Sequence, residues 1–272
     1  MSHPGSGSLR PLPSGLALAL AALGLGAMLA GPLGAHRLGL GLSLRAQVAL
    51  GTVLLALPAL AALLAEPSAG RAAWGPEAPT ARTSGLSLLL GAALWVGSLG
   101  LMETQSIAFP PSPETLDLFR RLHAALAPEG FVDGLVSLAV IALLPAACEE
   151  LVMRGVLLPS LAARLGALPA VLLTAAAFAL IHFDPIRTLF TFVLGLLLGL
   201  LRLRTLSLWP PVIVHSTINA LTFFLAPLVD DSSQAYTPQP ALGLACLAAG
   251  ALVAWPLLRA LRPSVDSPRT AT

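Results

Sequence analysis

Six residues with chemically active side chains lie inside long apolar stretches of this sequence, where such side chains are costly. An ionisable group near the centre of a lipid bilayer is strongly unfavourable unless it is paired or faces water. The first three apolar stretches and the last one hold almost no ionisable residues in their interiors. The concentration of polar groups in three of the others therefore indicates a functional site. The six residues are Glu149, Glu150, Arg154, His182, His215 and Asn219.

The spacing of these residues predicts which of them share a helix face. Glu150 and Arg154 are four residues apart, so they can pair on one face, and we interpret them as a structural ion pair. Glu149 is rotated by about 100° from Glu150 and has no charged residue four positions further on. It must therefore find a partner on another helix or be protonated. His215 and Asn219 are also four apart and share a face.

The composition is typical of an integral membrane protein. Of the 272 residues, 56% are hydrophobic and 10% are charged, whereas soluble domains carry about 25% charged residues. Most of the apolar runs have roughly the 17–25 residues that a bilayer helix needs, although the third and sixth are short. The sequence therefore predicts an all-α bundle of about eight transmembrane helices with a central intramembrane polar cavity. The runs are residues 16–35, 45–65, 85–102, 131–158, 167–183, 187–201, 208–229 and 240–258.

The arginines predict an orientation for this bundle. We interpret the first run as a retained span and not a signal peptide, because it is rather long for an h-region. With eight spans, more arginines fall on the side of the two termini than on the other, so both termini are expected in the cytoplasm. We expect a bacterial inner membrane. The terminal side holds Arg10, Arg71, Arg82, Arg164, Arg202, Arg204, Arg259, Arg262 and Arg269, and the other side holds Arg37, Arg45, Arg120, Arg121 and Arg187.

The polar groups of the inner spans are expected at similar depths. At a rise of 1.5 Å per residue, Glu149, His182, His215 and Asn219 all fall within a hydrocarbon core about 30 Å thick. They can therefore meet in one cavity whichever way the protein is inserted. A lone membrane histidine is usually a helix–helix hydrogen bonder. Two histidines with an unpaired glutamate and an asparagine favour a functional site instead.

The connection between the third and fourth spans contains a helix start. Ser112 can cap a helix whose first position is Pro113, and apolar residues then recur at helical spacing. Residues 111–130 are therefore predicted to form an amphipathic helix on the membrane surface. The alternative is a connector that merely positions the next span.

Two classes of protein are disfavoured by residue usage. Cys148 and Cys246 both sit in apolar runs and look like small buried side chains, not a disulfide framework. The chain has no basic block long enough to grip a nucleic acid, so no nucleic-acid partner is expected.

Three motifs occur in order along the middle of the chain. The segment PAACEELVMRG, which contains Glu149, Glu150 and Arg154, resembles an EExxxR motif. FALIH, which ends at His182, resembles FxxxH, and HSTIN, which begins at His215, resembles HxxxN. These motifs resemble those of the CPBP family of intramembrane proteases, which includes the type II CAAX prenyl endopeptidases and bacteriocin-processing or immunity proteins. The position before the motif arginine is often Phe in the family and is Met153 here, a change that affects packing alone.

The resemblance covers about residues 130–230 and implies a division of the chain. Residues 131–230 would be the catalytic core, and residues 111–130 the interfacial helix. Residues 1–110 would be N-terminal transmembrane helices of unknown role, and residues 231–272 a last transmembrane helix with a polar tail. The resemblance does not extend to the N-terminal part.

The resemblance also implies roles for the polar residues. Glu149 and His182 would hold and activate a water, and His215 and Asn219 would stabilise the oxyanion formed at the scissile carbonyl. A carboxylate with a neighbouring imidazole can act as a general base. Two donors on one helix face can meet a developing negative charge, an effect that is large where water is scarce.

The sequence leaves the use of a metal open. The chain lacks HExxH, the helix signature of many zinc proteases. Glu149, His182 and His215 could still supply three ligands to a divalent metal such as zinc, with an open fourth position. No other cofactor is expected.

The best interpretation is an intramembrane endopeptidase acting on a membrane-associated peptide or protein substrate within the lipid bilayer. One alternative is a non-enzymatic immunity or scaffold protein, which would have no need of Asn219. Another is a small proton-coupled transporter that uses Glu149 and the histidines as a relay. Transporters often contain an internal repeat, and none is visible here.

Overall fold

The computed structural model describes residues 10–75, 78–183, 187–229 and 238–261, and within these ranges every regular element is a helix. This confirms the predicted all-α fold class. The helices are α1 (Ser14–Arg37), α2 (Leu44–Ala65), α3 (Pro67–Trp74), α4 (Ala81–Ala108), α5 (Pro113–Leu126), α6 (Phe131–Leu165), α7 (Ala167–Leu180), α8 (Thr188–Thr205), α9 (Trp209–Val229) and α10 (Pro240–Ala260).

Each of the eight predicted apolar runs lies on one of the longer helices. Six helices, α1, α2, α4, α6, α8 and α10, are long and apolar enough to cross a membrane. Helix α7 is apolar but has 14 residues, and α9 has 21. The third run was expected to be short, yet α4 has 28 residues. Polar residues extend it at both ends, where Thr80 caps the first turn by accepting a hydrogen bond from the Thr83 N–H.

Glycines allow α4 and α10 to pack backbone to backbone. A Cβ atom at Gly250 would lie 2.7 Å from the Gly97 Cα, and one at Gly100 would overlap the Gly243 carbonyl oxygen. Small residues at helix contacts are the usual way in which membrane helices approach closely. The C-terminal helix is therefore an integral part of the bundle.

Helices α7 and α8 also meet through glycines, and the contacts define their relative direction. Gly195 faces Ala175, and Gly199 faces Val171. Moving four residues forward along α8 thus moves the contact four residues backward along α7, so the two helices are antiparallel. The C-terminal end of α8 consequently lies beside the N-terminal end of α7.

Helix α6 is interrupted twice by wider π turns, and each interruption precedes a proline. The π segments are Leu138–Leu143 and Leu151–Leu157. A proline in a helix lacks an N–H donor and clashes with the carbonyl four residues earlier. The π turns relieve that clash just before Pro145 and Pro159. The α-helical segment Leu144–Glu150, which contains both glutamates, lies between the two π segments.

Arginine contacts join the ends of several helices on one side of the bundle. Arg202 donates to the Ala72 and Ala73 carbonyl oxygens at the end of α3, and Arg204 donates to the Leu261 carbonyl oxygen after α10. This grouping agrees with the arginine-rich side predicted from the sequence. Arg262 and Arg269 lie outside the described residues. We call this side, with the start of α7 and the ends of α8 and α10, the arginine-rich end.

Helix α5 begins where the sequence predicts and lies at the opposite end of the bundle. The Ser112 side chain accepts a hydrogen bond from the Thr115 N–H. The His123 ring stacks on Phe223 of α9 with centroids 5.1 Å apart. The Arg187 guanidinium lies over the Phe119 ring, with its Cζ atom 5.0 Å from the ring centroid. The predicted amphipathic helix therefore exists and contacts α9 at Phe223, while its place on a membrane surface stays a prediction.

Both cysteines are free thiols, as the sequence predicted. Cys148 lies on α6 and Cys246 on α10, and each is half-buried. The described part of the bundle is therefore held together by packing, hydrogen bonds and ion pairs, with glycine contacts and buried arginines prominent among them.

Candidate active site

The centre of the bundle contains a fully buried ion pair on α6. Glu150 Oε1 accepts a hydrogen bond from Arg154 Nη1 at 2.7 Å, and neither side chain is exposed. The Arg154 guanidinium also donates to the Gly195 carbonyl oxygen of α8 at 3.1 Å. It lies over the Phe178 ring of α7, 4.6 Å from the centroid. The pair predicted within one helix is thus present and also connects α6 to α7 and α8.

The same carboxylate oxygen binds a histidine from another helix. Glu150 Oε1 lies 2.9 Å from Nδ1 of His215 on α9, whose side chain is 3% exposed. Beside Arg154, Glu150 is a carboxylate and can only accept, so Nδ1 of His215 carries the proton in this contact. Sequence spacing could not predict this contact, because the two residues are 65 positions apart.

Glu149 is directed to the other side of the same imidazole. Its Oε2 atom lies 3.9 Å from Nε2 of His215. That separation is too long for a direct hydrogen bond, but a water can bridge two polar groups at such a spacing. Oε2 is buried and has no hydrogen-bond partner among the described residues. His215 is therefore the group on another helix that Glu149 faces, without a direct hydrogen bond between them.

His182 lies in the turn just after α7, and its ring is fixed by backbone. Nδ1 of His182 lies 2.6 Å from the Phe178 carbonyl oxygen, which can only accept, so Nδ1 is the donor. The neutral ring then presents an unprotonated Nε2. The following residue, Phe183, has a φ of 48°, a left-handed conformation uncommon for residues other than glycine. The chain therefore turns sharply directly after this histidine.

Phe178 separates the two histidines and contacts both. Its ring centroid lies 4.8 Å from that of His182 and 5.5 Å from that of His215, and both contacts are edge-on. Phe178 is itself completely buried. The sequence marks it only as the first position of the FxxxH pattern. Its central packing position becomes visible only when α6, α7 and α9 are assembled.

Asn219 lies one turn after His215 on α9 and is partly buried. Its side chain makes no hydrogen bond with a described residue, so its amide is available to a ligand. The structure thus brings Glu149, Glu150 and His215 together directly. His182 is connected to this group by Phe178, which contacts both histidines. Asn219 is near the group because it lies one helical turn after His215.

The ligand set considered for a metal does not form a metal site in this arrangement. Among the described residues, no group of three or more His, Cys, Asp or Glu side chains is close enough to hold an ion. Glu149, His182 and His215 are all within the described ranges.

The described residues form an all-α bundle of the integral membrane class, with Glu150, Arg154 and His215 buried inside it and Glu149 and His182 partly buried. Residues 131–221 match the family model described as type II CAAX prenyl endopeptidase Rce1-like. This match confirms the resemblance to the CPBP family and contains all three motifs. It spans helices α6 to α8 and the first part of α9, about a third of the chain. No curated protein matches the chain. No solved structure matches it either.

Proposed function

We propose that the chain is an intramembrane endopeptidase that hydrolyses peptide bonds of membrane-associated substrates. The observation that carries the proposal is the pair formed by Glu149 and His215. An unpartnered carboxylate oxygen faces an imidazole nitrogen across a gap of 3.9 Å inside a membrane bundle. The Rce1-like match over the same helices supports proteolysis as the reaction.

Glu149 is the general base in this proposal. A water held by its carboxylate attacks the scissile carbonyl carbon while the carboxylate takes one proton. Nδ1 of His182 donates its hydrogen to the Phe178 carbonyl oxygen, so Nε2 carries no hydrogen and can accept one. In this proposal Nε2 accepts a hydrogen bond from that water and helps to hold it. Collapse of the tetrahedral intermediate breaks the C–N bond, and the proton passes from Glu149 to the leaving amine nitrogen.

His215 and Asn219 stabilise the oxyanion in this proposal. Because Nδ1 of His215 donates to Glu150, the ring can donate to substrate only from Nε2, and only as the imidazolium. The Asn219 amide, one helical turn away, supplies the second donor. Donors fixed in a site with little water stabilise developing charge far more than they would in bulk water.

Glu150 and Arg154 position His215 and do not contact substrate. Arg154 is held by Glu150, by the Gly195 carbonyl and by the Phe178 ring. This leaves the Glu150 carboxylate with one fixed orientation toward His215. The pair predicted to be structural therefore also orients the His215 ring and lies against its imidazolium form in this proposal.

The substrate proposed is a membrane-associated peptide or an anchored protein. We propose a bacterial inner membrane as the location, with the arginine-rich end and both termini in the cytoplasm. In that orientation the candidate active site lies nearer the membrane face away from the cytoplasm. His182 follows the end of α7 that is far from the arginine-rich end, and Phe223 of α9 contacts α5 at that same far end.

The substrate class is tested by proteomics of membrane fractions. Cells that express the wild-type chain are compared with cells that express Glu149→Ala, and Glu114→Ala on exposed α5 is the matched control. We expect membrane proteins that are shortened in the wild type and in the control to remain full-length in the Glu149 variant. Identical fragment patterns in all three strains would contradict the proposal.

A further inference from the structure

A cavity of about 360 Å³ lies away from the candidate active site, between α1, the end of α6 and α7. Its volume is within the range of small-ligand pockets. Its wall is almost entirely hydrocarbon. Leu18, Leu165 and Leu173 line it and are about half exposed, so it opens at the outer surface of the bundle, where membrane helices meet lipid. The remaining wall is formed chiefly by Leu157, Leu161, Thr174 and Ala177.

The cavity has a cationic mouth. Arg164, in the last turn of α6, and Ser14, the first residue of α1, both line it. Their Nη1 and Oγ atoms are 3.4 Å apart, a long contact. Among the described residues no carboxylate pairs with Arg164, and none lines the cavity. The one other polar group in the wall, the Thr174 hydroxyl, already donates to the Ala170 carbonyl oxygen.

The position of the cavity matches the depth of a phospholipid. Arg164 precedes α7, and the antiparallel packing of α7 and α8 puts it at the arginine-rich end. The guanidinium is thus at the level of the headgroups, and the leucine wall extends from it toward the bilayer centre. Basic pockets between transmembrane helices are a recognised kind of site for lipid headgroups. A guanidinium binds a phosphate through two parallel hydrogen bonds. The net negative charge of an anionic phospholipid complements Arg164, whereas a zwitterionic lipid such as phosphatidylcholine adds a headgroup cation that Arg164 repels.

We propose that this groove binds one anionic phospholipid. One acyl chain occupies the apolar cavity, and the phosphate binds Arg164 and the Ser14 hydroxyl. The lipid thereby joins the first helix of the bundle to α6 and α7, which carry Arg154 and Phe178. This proposal does not depend on proteolytic activity, because its residues are separate from those assigned to the reaction.

The test measures lipid retention by native mass spectrometry of the full chain released from detergent. Wild-type protein is incubated with phosphatidylglycerol or with phosphatidylcholine of the same acyl chains. We expect one phosphatidylglycerol molecule to be retained per chain. Arg164→Gln should reduce that retention about fivefold, the effect expected from one interfacial arginine. Arg71→Gln, an exposed arginine outside the groove, is the matched control and should retain the wild-type amount.

A second variant and a second measurement distinguish loss of lipid binding from loss of folded protein. Ala177→Phe fills the cavity and should abolish retention without changing any charge. The melting temperature of the wild type in detergent should rise when phosphatidylglycerol is added, and that of Arg164→Gln should not. Equal retention of the two lipids, or an equal loss in Arg164→Gln and Arg71→Gln, would overturn the proposal. Displacement of the lipid by a lipidated peptide at equimolar concentration would also overturn it and assign the groove to substrate.

Discussion

Nδ1 of His215 lies 2.9 Å from Oε1 of Glu150. That oxygen is also the one that binds Arg154, so one buried carboxylate atom holds a cation on its own helix and an imidazole on another. Oε2 of Glu149, the first of two adjacent acids in α6, is buried without a hydrogen-bond partner among the described residues. Glu150, the second, makes both of its contacts through Oε1, and its own Oε2 has no partner there either. Because the adjacent glutamates are on different faces of one helix, the roles proposed for them differ.

Glu150→Gln should reduce the amount of folded protein. The substitution leaves the buried Arg154 charge without its counter-ion, and breaking one partner of such a pair typically costs about 3–5 kcal/mol. The measurements are the yield of monodisperse protein from membranes and its melting temperature in detergent. A melting temperature equal to that of the wild type would contradict the account of the pair.

The double variant Glu150→Gln/Arg154→Met separates folding from positioning. Replacing a buried ion pair by neutral groups of similar size is often tolerated, so folded protein should return toward the wild-type amount. Turnover should stay low, because His215 still lacks the carboxylate that orients its ring and pairs with its imidazolium form. Full recovery of both stability and turnover would show that Glu150 has no positioning role.

Gly195→Ala should destabilise the contact between α7 and α8. The added Cβ would lie 2.9 Å from the Ala175 Cα, and backbone cannot easily move away. Overpacking of this kind costs about 1–3 kcal/mol. Gly199→Ala is the matched control one turn further on, where the Cβ would meet the Val171 side chain at 3.3 Å. The melting temperature should therefore fall clearly more for Gly195→Ala than for Gly199→Ala. Equal falls in melting temperature would contradict the close backbone contact between α7 and α8.

Asn219→Ala should lower the catalytic rate while substrate affinity changes little. A donor to the oxyanion acts mainly in the transition state, and losing one such donor typically costs about 10²–10³-fold in turnover. The check is a comparison of kcat and KM on a reporter peptide. A wild-type rate, or a rise in KM alone, would make Asn219 a packing residue.

Asn219→Asp provides a pH-dependent form of the same test. The introduced carboxyl can donate a hydrogen bond only when protonated, and its ionised form repels an oxyanion. Activity should therefore be present below the pKa of the introduced group and fall as pH rises through it. A pH–rate profile of the purified variant that is parallel to that of the wild type would exclude the donor role.

Exhaustive chelation should leave turnover intact. Glu149, His182 and His215 do not form a three-ligand cluster among the described residues, and the proposed water is activated by carboxylate and imidazole. The purified protein is treated with a chelator, assayed, and measured for bound zinc by elemental analysis. Loss of activity that zinc alone restores would require a different mechanism.

Much of the architecture could be predicted because it depends on local sequence. Hydropathy predicted the apolar helices of the bundle, since each crossing needs its own continuous apolar run; among the described residues, six of them are long and apolar enough to span a membrane. The four-residue spacing predicted the Glu150–Arg154 pair, because both residues are on one helix. The start of α5 at Ser112 and Pro113 followed from the chemistry of helix capping.

The contacts between helices could not be predicted in the same way. The Glu150–His215 contact depends on how α6 and α9 pack, and nothing in the local sequence of either helix encodes it. The place of Phe178 between the two histidines has the same origin. The π turns of α6 were also missed, although Pro145 and Pro159 are the residues that require them. Prolines inside an apolar run are the signal that could have indicated them.

The central claim is that Glu149 activates the water that cleaves a peptide bond, and one substitution tests it directly. Wild-type protein and Glu149→Gln are purified, reconstituted in liposomes and assayed on the same membrane-anchored reporter peptide. Because Glu149 Oε2 has no partner among the described residues, the amide should leave yield and melting temperature unchanged. We predict that the wild type cleaves the reporter and that the variant, equally well folded, does not. Cleavage by Glu149→Gln at the wild-type rate would contradict the account.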